Sequence, residues 1–122
     1  MNRDYDIVRK ILIALEEHEG NDDFPREIEE LELTDIDEKI FYYHTRLMTN
    51  DGLIEADREV DITSDDIFYK PIRLTNKGHD FLKYARNDTW WNKMKKQLGA
   101  MLKDTSLAVI TAVLVEIAKG KF

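Results

Sequence analysis

The strongest constraint on the fold lies between Asn50 and Gly78. Asn50-Asp51-Gly52 stops a helical pattern, and Gly52 suits the left-handed position just past a helix end. Leu53-Ile54-Glu55-Ala56 follows at once as a strand, and residues 57–66 are polar and loop-like. Ile67 to Leu74 then reads as a returning strand, in which Pro71 demands an edge or a bulge. Leu74-Thr75-Asn76-Lys77-Gly78 opens a further helix with Thr75 as its N-cap and Phe81, Leu82 and Ala85 facing inward. A helix stopped by glycine and followed by a hairpin that leads straight into another capped helix is the grammar of a winged helix-turn-helix. That unit runs from about Ile36 to Tyr84.

The flanking segments are mostly helical. Asp4 to Glu17 repeats Ile7, Val8, Ile11, Leu12 and Leu15 at helical spacing, and Glu19-Gly20-Asn21-Asp22-Asp23 ends it in a turn. Residues 25–33 read either as a short helix begun by Pro25 or as a brief strand in which Leu31 and Leu33 alternate with glutamates. Thr34 is expected to cap the central helix, with Asp35, Asp37 and Glu38 in its first turn. Its inner face is expected to be Ile36, Ile40, Tyr43, His44, Leu47 and Met48, with His44 a hydrogen-bonded core histidine. Beyond the hairpin, Asp88 caps a helix from Thr89 to about Lys103, and Ser106 caps a last one from Leu107 to Lys119. The expected fold class is α+β, mainly α: a winged helix over residues 1–87 and a helical extension over 88–122 that packs or dimerises.

Charge is divided along the chain. Residues 1–69 carry 7 Lys/Arg against 21 Asp/Glu, residues 70–122 carry 11 against 4, and the whole nets −7. Overall acidity disfavours indiscriminate nucleic-acid binding, which phosphate neutralisation drives. The chain has no cysteine, which removes disulfides, thiolate metal sites and cysteine nucleophiles together. It shows no secretory leader and no apolar run near the roughly 20 residues a bilayer requires, so a cytoplasmic protein without membrane contact is expected. His18, His44 and His79 are too scattered for a metal site, and there is no glycine-rich phosphate loop. No catalytic residue, metal or cofactor is assigned, and no enzyme activity is expected.

Two functions fit such a scaffold. A DNA-binding transcriptional regulator would read double-stranded DNA with the outer face of the central helix and the hairpin base. The residues for this are Lys39, Tyr42, Thr45, Arg46, Thr49, Arg73 and Lys77. It would act as a homodimer held by the last helix, whose Leu107, Ile110, Val113, Leu114 and Ile117 leave it apolar nearly all round. Trp91 would lock this extension onto the domain. The basic set Lys77, Lys83, Arg86, Lys93, Lys95 and Lys96, interleaved with Trp90 and Trp91, also has the composition of a single-strand stacking surface. The alternative is a non-enzymatic protein-interaction module of phage accessory or adaptor type. Asp57, Glu59, Asp61, Asp65 and Asp66 make the hairpin acidic, which suits a protein partner better than phosphate.

Four stretches carry a resemblance. They are R-D-x-D-I-V-R-K-I-L near the start, Y-H-x-x-L-M-x-x-D-G-L-I-E-A in the centre, R-L-T-x-x-G-H-D-F-L, and N-D-T-x-W-N-K-x-K. Together they resemble a family of short bacterial and prophage hypothetical proteins of unknown function with a winged-helix-like fold. The resemblance spans roughly residues 2–115. It implies the fold and a bacterial or mobile-element origin, and it tips residues 29–33 towards a strand. It implies no reaction and no ligand.

Overall fold

The computed structural model describes residues 2–19 and 24–120. Helix α1 (Tyr5–Glu17) is capped by Asp4, whose carboxylate accepts from the Asp6 amide. The turn expected over 19–23 lies, past Glu19, outside the described residues. Helix α2 (Glu38–Asn50) is capped by Asp37, which accepts from the amides of Lys39 and Ile40. Thr34 therefore does not cap it, and Asp35 stands outside the helix, paired with Lys10 (3.0 Å).

Residues 25–33 form neither the helix nor the strand expected. They make turns closed by the Glu32 amide on the Glu29 carbonyl and the Leu33 amide on the Ile28 carbonyl, with Glu32 in the left-handed region. The alternation of Leu31 and Leu33 with glutamates is real as burial, since both leucines and Ile28 enter the core. Their neighbouring backbone finds no ladder to join.

The hairpin consists of β1 (Ile54–Val60) and β2 (Ile67–Leu74), antiparallel. Strand β1 runs on through Val60, so the loop is 61–66 rather than 57–66. Ala56 pairs with Pro71 and Glu55 with Arg73, so Ile72 is the extra residue of a bulge beside the proline. Gly52 takes the left-handed conformation (φ 77°) that the chain reversal after α2 requires.

Helix α3 (Asn76–Ala85) starts at Thr75, whose hydroxyl accepts from the Gly78 amide and donates to the Gly52 carbonyl. The Thr75 amide donates to the Leu53 carbonyl (3.0 Å). That carbonyl lies so close to Gly78 that a Cβ there would collide with it. Glycine at position 78 is thus a packing requirement of the hairpin base. Helix α4 (Asp88–Leu98) is capped by Asn87 rather than Asp88. It stops at Gly99 (φ 54°), and residues Gly99–Asp104 tighten into a 3₁₀ turn instead of continuing to Lys103 as α-helix.

Helix α5 (Leu107–Ala118), capped by Ser106, packs on α3 and α4 through Ile110, Leu114 and Ile117. These three belong to the same apolar cluster as Ile11, Phe41, Leu53, Leu82 and Trp91. The architecture is α+β and mainly helical, with five α-helices and one two-stranded antiparallel sheet among the described residues.

Candidate functional site

The seven residues assigned to DNA contact do not share a free surface. Helix α2 is turned by about one residue, or 100°, from the expected face. Its buried residues are Phe41, Tyr42, His44, Thr45 and Met48, while Ile40, Tyr43 and Leu47 are half-buried. Tyr42 is 7% exposed, set edge-on against Phe41 and Phe68, and its hydroxyl donates to Glu27 (3.0 Å). Thr45 is fully buried, and its hydroxyl donates to the Tyr42 carbonyl (3.0 Å). Thr49 bonds in the same way to the Thr45 carbonyl (2.7 Å). Both threonines satisfy their polar atoms inside the helix, so burial costs little.

At the hairpin base, Arg73 donates to Glu55 and Lys77 to the Asp51 carbonyl. Lys70 sits between Glu27 (2.5 Å) and Glu59 (2.8 Å), which hold its ammonium pKa above the ordinary value. Lys39 and Arg46 alone of the seven remain exposed on α2 with no such partner among the described residues. They line an open cleft of about 390 Å³ between α2 and the hairpin, and Asp65 and Asp66 line its other side. Its floor is Tyr42, Tyr43, Ile67 and Phe68.

The hairpin tip is acidic and apolar together. Asp61 accepts from the amide (2.9 Å) and hydroxyl (2.7 Å) of Thr63, bonds that hold its carboxyl below the usual range. Its amide donates to the Asp66 carbonyl (2.8 Å), and Asp65 adopts φ 59° to close the turn. Ile62 is 94% exposed, with Val60 and Ile67 beside it about half exposed.

Trp91 is buried, donates from Nε1 to Asp6 (2.8 Å) and lies under the Arg9 guanidinium and against Phe81. It joins α4 to α1 and α3 and offers no stacking surface. Trp90 leans on Tyr84, Arg86 pairs with Glu16, and Lys95 pairs with Asp6 (3.1 Å), which leaves Lys93 and Lys96 as the exposed cations of α4. On α5, Leu107 and Val113 are half-buried, and the strip left outside is Ala108, Val109 and Ala112. Among the described residues no group of three His, Cys, Asp or Glu is placed to hold a metal, and no helix is long and apolar enough to cross a membrane.

A surface that the sequence pattern did not reveal is the long edge of β1. Reading 57–66 as loop hid the alternation of Glu55, Asp57 and Glu59 with Ala56, Arg58 and Val60. That period of two was the available signal.

Comparison with known proteins names a family and no activity. A family profile described as "Hypothetical protein (DUF2513)" matches residues 2–103. A Haemophilus influenzae relative described as "Uncharacterized protein" is 34% identical over 120 residues, covering 93% of this chain and 92% of its own. No solved structure matches the chain.

Proposed function

The chain belongs to the DUF2513 family of hypothetical proteins, and from that premise we propose that it is a non-enzymatic protein-interaction module on a winged-helix scaffold. The element order supports the scaffold: helix, turn segment, helix, hairpin, helix. One observation carries the interaction reading. At the hairpin base Arg73 and Lys77 are matched by Glu55 and the Asp51 carbonyl, which leaves only Lys39 and Arg46 as exposed cations of the would-be DNA face, while the hairpin tip projects Asp61, Asp65 and Asp66 around exposed Ile62. Such a tip repels phosphate and complements a basic, partly apolar protein surface.

The test pairs two measurements. Random duplex DNA at low salt is expected to bind more weakly than about 100 μM, the weak end of ordinary nonspecific affinity. A protein co-purifying from host extract is expected to be lost when Asp61, Asp65 and Asp66 are together changed to lysine, with the helical circular dichroism unchanged. Retention of that protein by the triple variant counts against the proposal. Tighter DNA binding that disappears in Lys39→Ala and Arg46→Ala would establish the regulator instead. The exposed position of those two side chains on α2 is the observation that favours that second reading.

A further inference from the structure

The geometry points to the outer edge of β1 as a strand-addition site for a cationic, extended segment of the partner protein, an inference that rests on the interaction reading above. The hydrogen-bond parity of the hairpin fixes which backbone groups are involved. The Asp61 amide donates to the Asp66 carbonyl, so residues 61 and 66 form a hydrogen-bonded pair. Alternation then makes Glu59/Phe68 and Asp57/Lys70 bonded pairs and leaves Val60/Ile67, Arg58/Tyr69 and Ala56/Pro71 unbonded. Pro71, which has no N–H, occupies the one kind of position that needs none.

In unbonded pairs, N–H and C=O turn away from the partner strand. On β2 this is visible directly: the outward Pro71 carbonyl accepts from the Arg26 amide (2.8 Å), so residues beside Pro25 occupy that edge. On β1 the equivalent groups belong to Ala56, Arg58 and Val60. Among the described residues, no hydrogen bond outside the ladder reaches them. They offer three donors and three acceptors in register, the template that β-augmentation uses.

Charge selects the occupant. Glu55, Asp57 and Glu59 stand on one face of β1; Glu55 pairs with Arg73 and Glu59 with Lys70, and between them Asp57 stands exposed. Antiparallel pairing of β1 with a second copy would set these carboxylates against each other, which like-charge cross-strand pairs disfavour. A strand with Lys or Arg at alternate positions meets them favourably. Its intervening residues lie on the face of Ala56, exposed Arg58 and half-exposed Val60, where small apolar side chains pack on Ala56, Val60 and the Arg58 stem. The occupant is therefore a basic–apolar alternating strand.

The probe is a nine-residue peptide alternating lysine and valine, titrated into the full chain at low salt while amide exchange is followed by NMR. Binding is expected to slow exchange at Ala56, Arg58 and Val60 selectively. A copy N-methylated along its backbone keeps the charge, loses every backbone donor, and is expected to bind at least about tenfold more weakly. Asp57→Lys, an exposed change, is expected to weaken the unmethylated peptide by a similar factor. Arg58→Pro removes one outward amide and no ladder bond, and is expected to abolish slowing at its neighbours. Equal binding of both peptides, with shifts confined to 61–66, would overturn strand addition and leave the acidic-tip reading standing. No binding of either peptide up to millimolar concentration would overturn both.

Discussion

His44 is held by two backbone groups at once. Its Nε2 accepts from the Asp4 amide (2.8 Å) and its Nδ1 donates to the Ile40 carbonyl (2.7 Å), which fixes one neutral tautomer. Burial pushes its pKa below 6.5, outweighing the Ile40 bond. The folded state thus prefers the neutral ring. The stability it contributes is fully present above about pH 6.5 and is lost as pH falls through the depressed folded value. The urea midpoint is expected to fall between pH 7.5 and 5.5 in the wild type and to fall less in His44→Gln. Parallel profiles would remove His44 as the source. Asp6 acts lower on the scale: burial raises its pKa, but bonds from Trp91 and Lys95 bring it below the ordinary value. Its contribution is present above the usual carboxylate range and fades only in more acid solution. His44 was legible as a core histidine because it follows the apolar Ile40 by one turn. Tyr42 and Thr45 were not legible, because what makes them inner residues is elsewhere: Glu27 reaches the Tyr42 hydroxyl from a segment with no pattern of its own.

At the scale of elements, the hairpin base is the most tightly specified part of the chain. Thr75 ties Gly52 to α3, the Leu53 carbonyl takes the Thr75 amide, and Gly78 gives that carbonyl room. Gly78→Ala forces backbone apart and is expected to cost about 1–3 kcal/mol, in the range of overpacked cores. A chemical-denaturation midpoint within error of wild type would show that the helix start yields instead. The motif around Thr75 and Gly78 was readable because it is local: a cap, a turn and a close approach within a few residues. The rotation of α2 was not, because Asp37 and Thr34 are both competent caps, and tertiary packing of Phe41 chooses between them. Residues 25–33 were illegible for the same reason, since their leucines are anchored by a core the local pattern does not contain.

Across the whole molecule, the acidic half and the basic half are folded against each other. Arg86 meets Glu16, Lys95 meets Asp6 and Lys70 meets Glu27. The charge division along the chain is therefore partly an internal matching code, worth little per exposed pair. Helix α5 contributes far more to stability than these pairs. Ile110, Leu114 and Ile117 are nearly fully covered by the chain itself, and at about 1.5–3 kcal/mol each their burial approaches the whole stability of an ordinary domain. A chain ending at Asp104 is expected to lose cooperative thermal unfolding, and light scattering should find it aggregated. A soluble, cooperatively folding 1–104 fragment would show that the core closes without the last helix. The boundary expected at 88 marks where the helical extension begins, and the apolar cluster includes residues on both sides of it.

The locked hairpin base has a consequence for how such a chain can vary. The backbone fastenings of the hairpin base lie at Gly52, Leu53, Thr75 and Gly78, and farther out Phe68 rests on Tyr42 of α2. Residues added or removed two at a time beyond the Glu59/Phe68 pair preserve the parity of faces and edges and never reach those fastenings. Single-residue changes in strand length would invert both. The arm is thus an exchangeable part on a fixed mount, open to new partners by even steps in length without any change to the core.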